Sequence, residues 1–100
     1  MTTDKTGAPT TVTAEPDRFT IAVDDRPVGR LEFRDAAGKR VFTHTGVDEA
    51  FQGRGLATIL VGAALQATVE RGLRIVPECP MVADYLRHHP EFNAVVDPAS

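Results

Sequence analysis

Apolar and polar positions alternate with a period of two through the first half of the chain and switch to a helical period near residue 55. Phe19, Ile21 and Val23 are separated by Thr20 and Ala22, the pattern of a half-buried strand, and Asp24-Asp25-Arg26-Pro27 supplies turn chemistry behind it. Val28 to Phe33 reads as the returning strand, with Leu31 and Phe33 facing one way and Arg30, Glu32 and Arg34 the other. After a second turn, Asp35-Ala36-Ala37-Gly38, the run Lys39 to Val47 predicts a third strand. Simple alternation puts Val41, Thr43, Thr45 and Val47 on one of its faces and Phe42 and His44 on the other.

Further on, Leu56, Ile59, Leu60, Ala63, Ala64 and Ala67 recur at the spacing of one helical face, which predicts a helix from about Gly55 to Arg71 stopped by Gly72. Leu73 to Pro77 forms a short apolar strand, reached by a right-handed crossover and lying parallel to its neighbour. Pro80 suits the first turn of a second helix, Met81 to about His88, which Pro90 ends. Residues 1–17, rich in Thr, Ala and Pro, are expected to be a floppy leader, residues 18–93 the folded unit and residues 94–100 a flexible tail. The fold class is therefore a compact α/β domain: an antiparallel meander, one βαβ crossover and a C-terminal helix.

Composition narrows the function more than the fold. One hundred residues make a single domain, and 42% hydrophobic with 25% charged residues is ordinary globular composition. A net charge of −3 argues against a nucleic-acid partner, which would call for a basic face. No apolar run approaches the roughly 18 residues of a membrane span, and no signal peptide pattern opens the chain, so a cytoplasmic address is expected. His, Cys and carboxylates show no ligand spacing, and no metal is expected.

The chemistry concentrates in Gln52-Gly53-Arg54-Gly55-Leu56-Ala57, between the third strand and the long helix. Small residues at 53, 55 and 57 admit a close approach of backbone to ligand. The unpaired N–H groups and positive dipole end of the helical turn favour a pyrophosphate, and Gln52 and Arg54 add side-chain donors. A dinucleotide turn is the rival reading, with Glu78 as a ribose-binding acid about 20 residues on, but that fold needs several βαβ units.

Gln-x-x-Gly-x-Ala after an apolar strand, together with His44-Thr45-Gly46-Val47, Pro77-Glu78-Cys79-Pro80 and Tyr85 to His89-Pro90, resembles the small single-domain branch of the GNAT acetyltransferase superfamily. The resemblance spans roughly Phe19 to Phe92. It implies acetyl-CoA as donor and a primary amine as acceptor, whether a protein lysine, a polyamine or a small metabolite. Pantetheine would enter where the third strand and the following parallel strand splay apart, along the edge at Val47, and Gln52, Gly53, Arg54, Gly55, Leu56 and Ala57 would hold the pyrophosphate. Cys79, at a helix start, is either a transient acetyl acceptor or proton-transfer group, or a small buried hydrophobe. Tyr85 is either the acid that protonates the departing thiolate or a ring at the core edge. His44 is either a base for the ammonium or a structural histidine, with Asp48 and Glu49 as fallback bases; His88 and His89 complement a helix dipole.

Two features of the resemblance are incomplete. The acceptor-side helices of larger relatives are absent, and Gly46 stands where many carry a carboxylate. The competing class is thus a non-catalytic acyl-CoA-binding or sensing module that works through a protein partner. These motifs do not set the oligomeric state.

Overall fold

The structure is a computed structural model that describes residues 2–98. Its backbone is a six-stranded sheet in chain order: β1 Thr2–Thr3, β2 Pro9–Ala14, β3 Arg18–Val23, β4 Arg26–Ala36, β5 Lys39–Val47 and β6 Arg74–Pro77. Helix α1, Leu56–Glu70, connects β5 to β6, and helix α2, Pro80–Arg87, follows β6. Neighbouring strands are antiparallel except β5 and β6, which are parallel. The expected meander, crossover and final helix are all present.

Both central hairpins turn through paired left-handed residues, Asp24 and Asp25 at φ 48° and 68°, and Ala37 and Gly38 at 54° and 79°. Such pairs match the right-handed twist of the flanking strands. They also let β4 run the full length from Arg26 to Ala36, longer than the Val28–Phe33 expected from alternation.

The core lies between one sheet face and the helices. Phe19, Ile21, Leu31, Phe33 and Phe42 face Leu56, Leu60, Val61, Ala64 and Leu65 of α1, with Ile75 and Val82 closing the end. The stripe on α1 is turned relative to expectation: Val61, Leu65 and Thr68 are buried in place of Ile59, Ala63 and Ala67. Apolar residues surround this helix, so periodicity alone does not choose its inner face. The larger side chains take the sheet side, and Thr68 is accommodated by donating its hydroxyl to the Ala64 carbonyl at 2.8 Å.

Three further expectations are corrected. Residues 9–14, assigned to a leader, form β2 and pair with β3 from Thr10↔Val23 to Ala14↔Phe19; Val12 packs against the core, and ladder bonds supply what apolar content does not. Met1 lies outside the described residues. The supposed tail is tied down as far as Asp97: Val96 bridges to Ile75, and the Asp97 carboxylate pairs with Lys39 at 3.0 Å and Arg74 at 2.7 Å. Residues 99 and 100 lie outside the description.

The third correction shapes the site. β5 carries a bulge, for Phe33 pairs with Phe42 but Glu32 pairs with His44, leaving Thr43 as the extra residue. Phe42 therefore joins Thr45 and Val47 on the helix side, while His44 shares the outer face with Val41 rather than with Phe42.

Ala37 holds a left-handed conformation that disfavours a Cβ. Ala37→Asn, which places Asn before Gly38, should raise stability by about 1 kcal/mol; a denaturant melt with an unchanged or lower midpoint would refute this account of the turn.

Candidate functional site

The parallel ladder between β5 and β6 is short. It runs from Lys39↔Arg74 to Phe42↔Pro77, and its last bond is Cys79 N–H to the Phe42 carbonyl at 2.9 Å. Pro80 has no N–H to continue the pairing, and the chain turns into α2 with Cys79 as N-cap. Beyond Phe42, β5 proceeds alone while bonded to β4 on its other side. Asp48 N–H reaches the Val28 carbonyl at 2.7 Å, so by ladder alternation the backbone groups of Thr45 and Val47 point away from β4 into the gap.

At the mouth of the gap the loop after β5 turns through Gly53 and Gly55, at φ 81° and 79°, and Gly55 caps α1 without a side-chain bond. The first intrahelical bond is Ile59 N–H to the Gly55 carbonyl at 3.2 Å. Among the described residues, the N–H groups from Gly53 to Thr58 have no protein acceptor. A cavity of about 390 Å³ is bounded by Gly53, Gly55, Leu56 and Ala57 on the loop side and by Thr45 and Val47 on the strand side. Unclaimed amide donors at the positive end of a helix of about four turns, facing such a cavity, suit an anionic group linked to a slender chain.

Two expected loop donors are otherwise engaged. The Gln52 side-chain amide donates to the Val47 carbonyl at 3.3 Å and thereby braces the loop against β5. The Arg54 guanidinium turns away to Asp4, donating from Nε at 2.8 Å and contacting the same carboxylate through Nη2 at 2.6 Å, and it lies 4.8 Å from the Phe51 ring centroid. Asp4 has no exposed side-chain area and accepts in addition from the Thr6 hydroxyl and from the Thr6 and Ala8 N–H groups. The Thr6 hydroxyl above all, with those amides and Arg54, holds its carboxyl down at about 2 against the opposing effect of burial.

The three side chains expected to act on the reacting atoms are not gathered in one place. Cys79 is 2% exposed, and its Sγ lies 3.0 Å from Thr45 Oγ1 across the gap between β5 and α2. His44 is exposed on the opposite face of the sheet, beside Gly46, Arg30 and Glu32; a Cβ at Gly46 would come within 3.6 Å of the imidazole Nε2 and 3.3 Å of an Arg30 nitrogen. Tyr85 lines a second cavity of about 450 Å³ with Pro80, Asp84 and His88, and is absent from the lining of the cavity at the loop. Its ring stacks on His89 with centroids 3.8 Å apart, and a Cβ at Gly62 would sit 2.8 Å from its hydroxyl. Burial first, and then the Glu91 charge, raises the phenol above its ordinary value. Met81, Ala57 and Thr58 border both cavities and make them one groove along the α1–α2 seam.

Thr45 and Asp4 were not legible as site residues. Finding Thr45 requires knowing that the bulge at Thr43 brings it onto the face of Cys79. Asp4 lies in the stretch expected to be a floppy leader, where no motif singles it out. Among the described residues there is no group of three His, Cys, Asp or Glu side chains that could hold a metal ion, and no helix is long and apolar enough to cross a membrane.

Residues 18–95 match the family defined as GCN5-related N-acetyl-transferase. The chain belongs to that family. Protein NATD1 of Gallus gallus is 35% identical over 78 residues, covering 73% of this chain and 68% of that protein, and the human protein of the same name is 35% identical with 66% of its length covered. The chain thus spans about two thirds of these relatives. The solution structure of a GCN5-like protein from Staphylococcus aureus superposes with a TM-score of 0.68 over 90% of both chains at 20% identity, a likeness of fold. The β1–β2 segment lies outside the residues that match the family.

Because the folded protein depresses the Asp4 carboxyl, the ionised form stabilises the fold. That contribution is complete above the ordinary carboxylate range near 4 and is lost as the pH falls toward about 2. Asp4→Asn should therefore reduce stability at pH 7 and close on the parent near pH 2; melts in which the difference between the two proteins does not change with pH would count against the ion pair.

Proposed function

We propose that this protein transfers an acetyl group from acetyl-CoA to a primary amine. The observation that carries the reading is the divergence of β5 from β6 after Phe42, which opens an unpaired backbone edge between a loop of free amide donors and the Thr45–Cys79 pair. Family membership supports acyl transfer chemistry at this place.

The residues present fit the coenzyme in three respects. The N–H groups of Gly53 to Thr58 would hold the diphosphate, aided by the α1 dipole. The strand edge at Thr45 and Val47 would pair with the pantetheine amides as a missing strand would. Cys79 and Thr45 would then lie beside the sulfur. When bound, the coenzyme would supply an activated carbonyl: the amine nitrogen would form the new C–N bond and give up a proton to a base, the C–S bond would break, and the sulfur would leave as thiolate and take up a proton.

The protein's part is chiefly positional, since holding amine and thioester together removes a bimolecular cost of up to about 7–11 kcal/mol. Cys79 is the better proton donor to the departing thiolate than Tyr85, whose hydroxyl is packed against Gly62 in the adjoining cavity. The Thr45 hydroxyl can donate a hydrogen bond to the Cys79 sulfur and so stabilise the thiolate until solvent reprotonates it. The acceptor amine approaches from the outer face of the sheet, where His44 is the nearest base to Gly46 and Glu32 lies across from it in register. Gly46 itself offers no carboxylate, and that one observation favours the second reading, an acyl-CoA-binding module without turnover.

Thermal denaturation with acetyl-CoA, CoA and NADH should show stabilisation by the first two and none by the third, because only a ligand of the folded state raises the melting temperature. In a free-thiol release assay over an amine panel, Cys79→Ala should keep its affinity for acetyl-CoA and lose about a hundredfold in kcat. Tight binding with no thiol release on any amine would establish the binding module in place of the enzyme.

A further inference from the structure

The hairpin formed by β1 and β2 reaches the cofactor loop from outside the region that defines the family. Residues 18–95 carry the family match, whereas Asp4, Lys5 and Thr6 precede it. Their turn is nonetheless docked on the loop by backbone as well as side chain: Lys5 N–H donates to the Arg54 carbonyl at 3.0 Å, and Arg54 Nη2 reaches the Thr6 hydroxyl at 3.1 Å. A guanidinium committed to the buried Asp4 carboxylate offers a neighbouring phosphate little net charge. Arg54, the cation that the loop sequence advertises, is thus taken out of the role.

Lys5 stands in the place so left. Its aliphatic stem crosses Gly55, where a Cβ would meet Lys5 Cε at 3.3 Å and Cγ at 3.4 Å. Among the described residues its ammonium has no carboxylate partner, while Arg54, Arg30, Arg34 and Arg40 are all paired. Gly55 borders the loop cavity and begins α1, so this ammonium is carried on a flexible stem at the rim of the free amide donors.

We propose that Lys5 is a coenzyme-binding residue that supplies its ammonium to the diphosphate of the acyl-CoA, and that Asp4 is the positioning residue that locks Lys5 over Gly55 by holding Arg54. The inference rests on the acyl-CoA reading given above. It makes the N-terminal hairpin part of the site, and it assigns the anion-binding cation to a position that the loop motif does not contain. It also accounts for a fully buried aspartate in a segment rich in Thr, Ala and Pro.

Equilibrium titration with CoA, dephospho-CoA and pantetheine tests it, using the full chain and three variants. Lys5→Met keeps the stem and removes the charge; it should weaken CoA and dephospho-CoA by about fivefold to tenfold, leave pantetheine unchanged and leave the melting temperature where it was, because the residue is exposed. Lys5→Arg should restore most of the affinity. Asp4→Asn should weaken the same two ligands and raise KM for acetyl-CoA more than it lowers kcat. Undiminished binding of both nucleotides by Lys5→Met overturns the proposal, and a loss confined to CoA overturns the assignment to the diphosphate. Failure of the parent protein to bind CoA is seen before any variant is made, and it removes the acyl-CoA reading together with this inference.

Discussion

Everything in the site follows from where the β5–β6 ladder ends. Parallel pairing stops at Phe42 because the partner chain reaches Pro80 one residue after its last donor, Cys79, and a proline has nothing to give. The bulge at Thr43 then re-aims the free half of β5. A buried strand edge carries N–H and C=O groups that must find partners, and a chain-like ligand with amides of its own is a natural one. The same termination leaves Cys79 as N-cap of α2 and places its sulfur within reach of Thr45. Gap, edge and sulfur are one consequence of one local arrangement.

The architecture was largely legible in the sequence because strand and helix periods are strong where one face is buried. Lys39–Val47 is found at its predicted limits, and α1 is within a residue of them at each end. The faces were harder. Alternation carried through Thr43 without a break puts Phe42 opposite to its true side, since a bulge has no signature in a run of β-branched and aromatic residues. On α1, apolar residues all round leave the inner stripe to be decided by the volume that the sheet can accept.

The site was legible in its loop and less so in its reacting groups. Gly53 and Gly55 adopt the left-handed conformations that made them stand out, because glycine is suited to such positions. Arg54 and Tyr85 were read from their place in a motif, yet their surroundings come from distant parts of the chain. Asp4 is 50 residues away from Arg54, and Tyr85 is seated against Gly62 on the other helix. Composition also undervalued residues 9–14, where backbone pairing to an existing strand orders a segment that has few apolar side chains of its own.

The return of the chain along β6 has a consequence for how the molecule meets other proteins. Asp97 N–H bonds to the Ile75 carbonyl at 2.8 Å, and Val96 bridges to the same residue, so the outer margin of the sheet is shielded there; β1, at the opposite margin, spans Thr2–Thr3 alone. Exposed sheet margins are what foreign strands join during aggregation or domain exchange. The free half of β5 beyond Phe42 lies inside the sheet next to α2, whereas residues 11–14 of β2, past the two positions that β1 covers, keep an open outer edge. A foreign strand would therefore find its purchase along β2, at the margin away from the returning C-terminal segment.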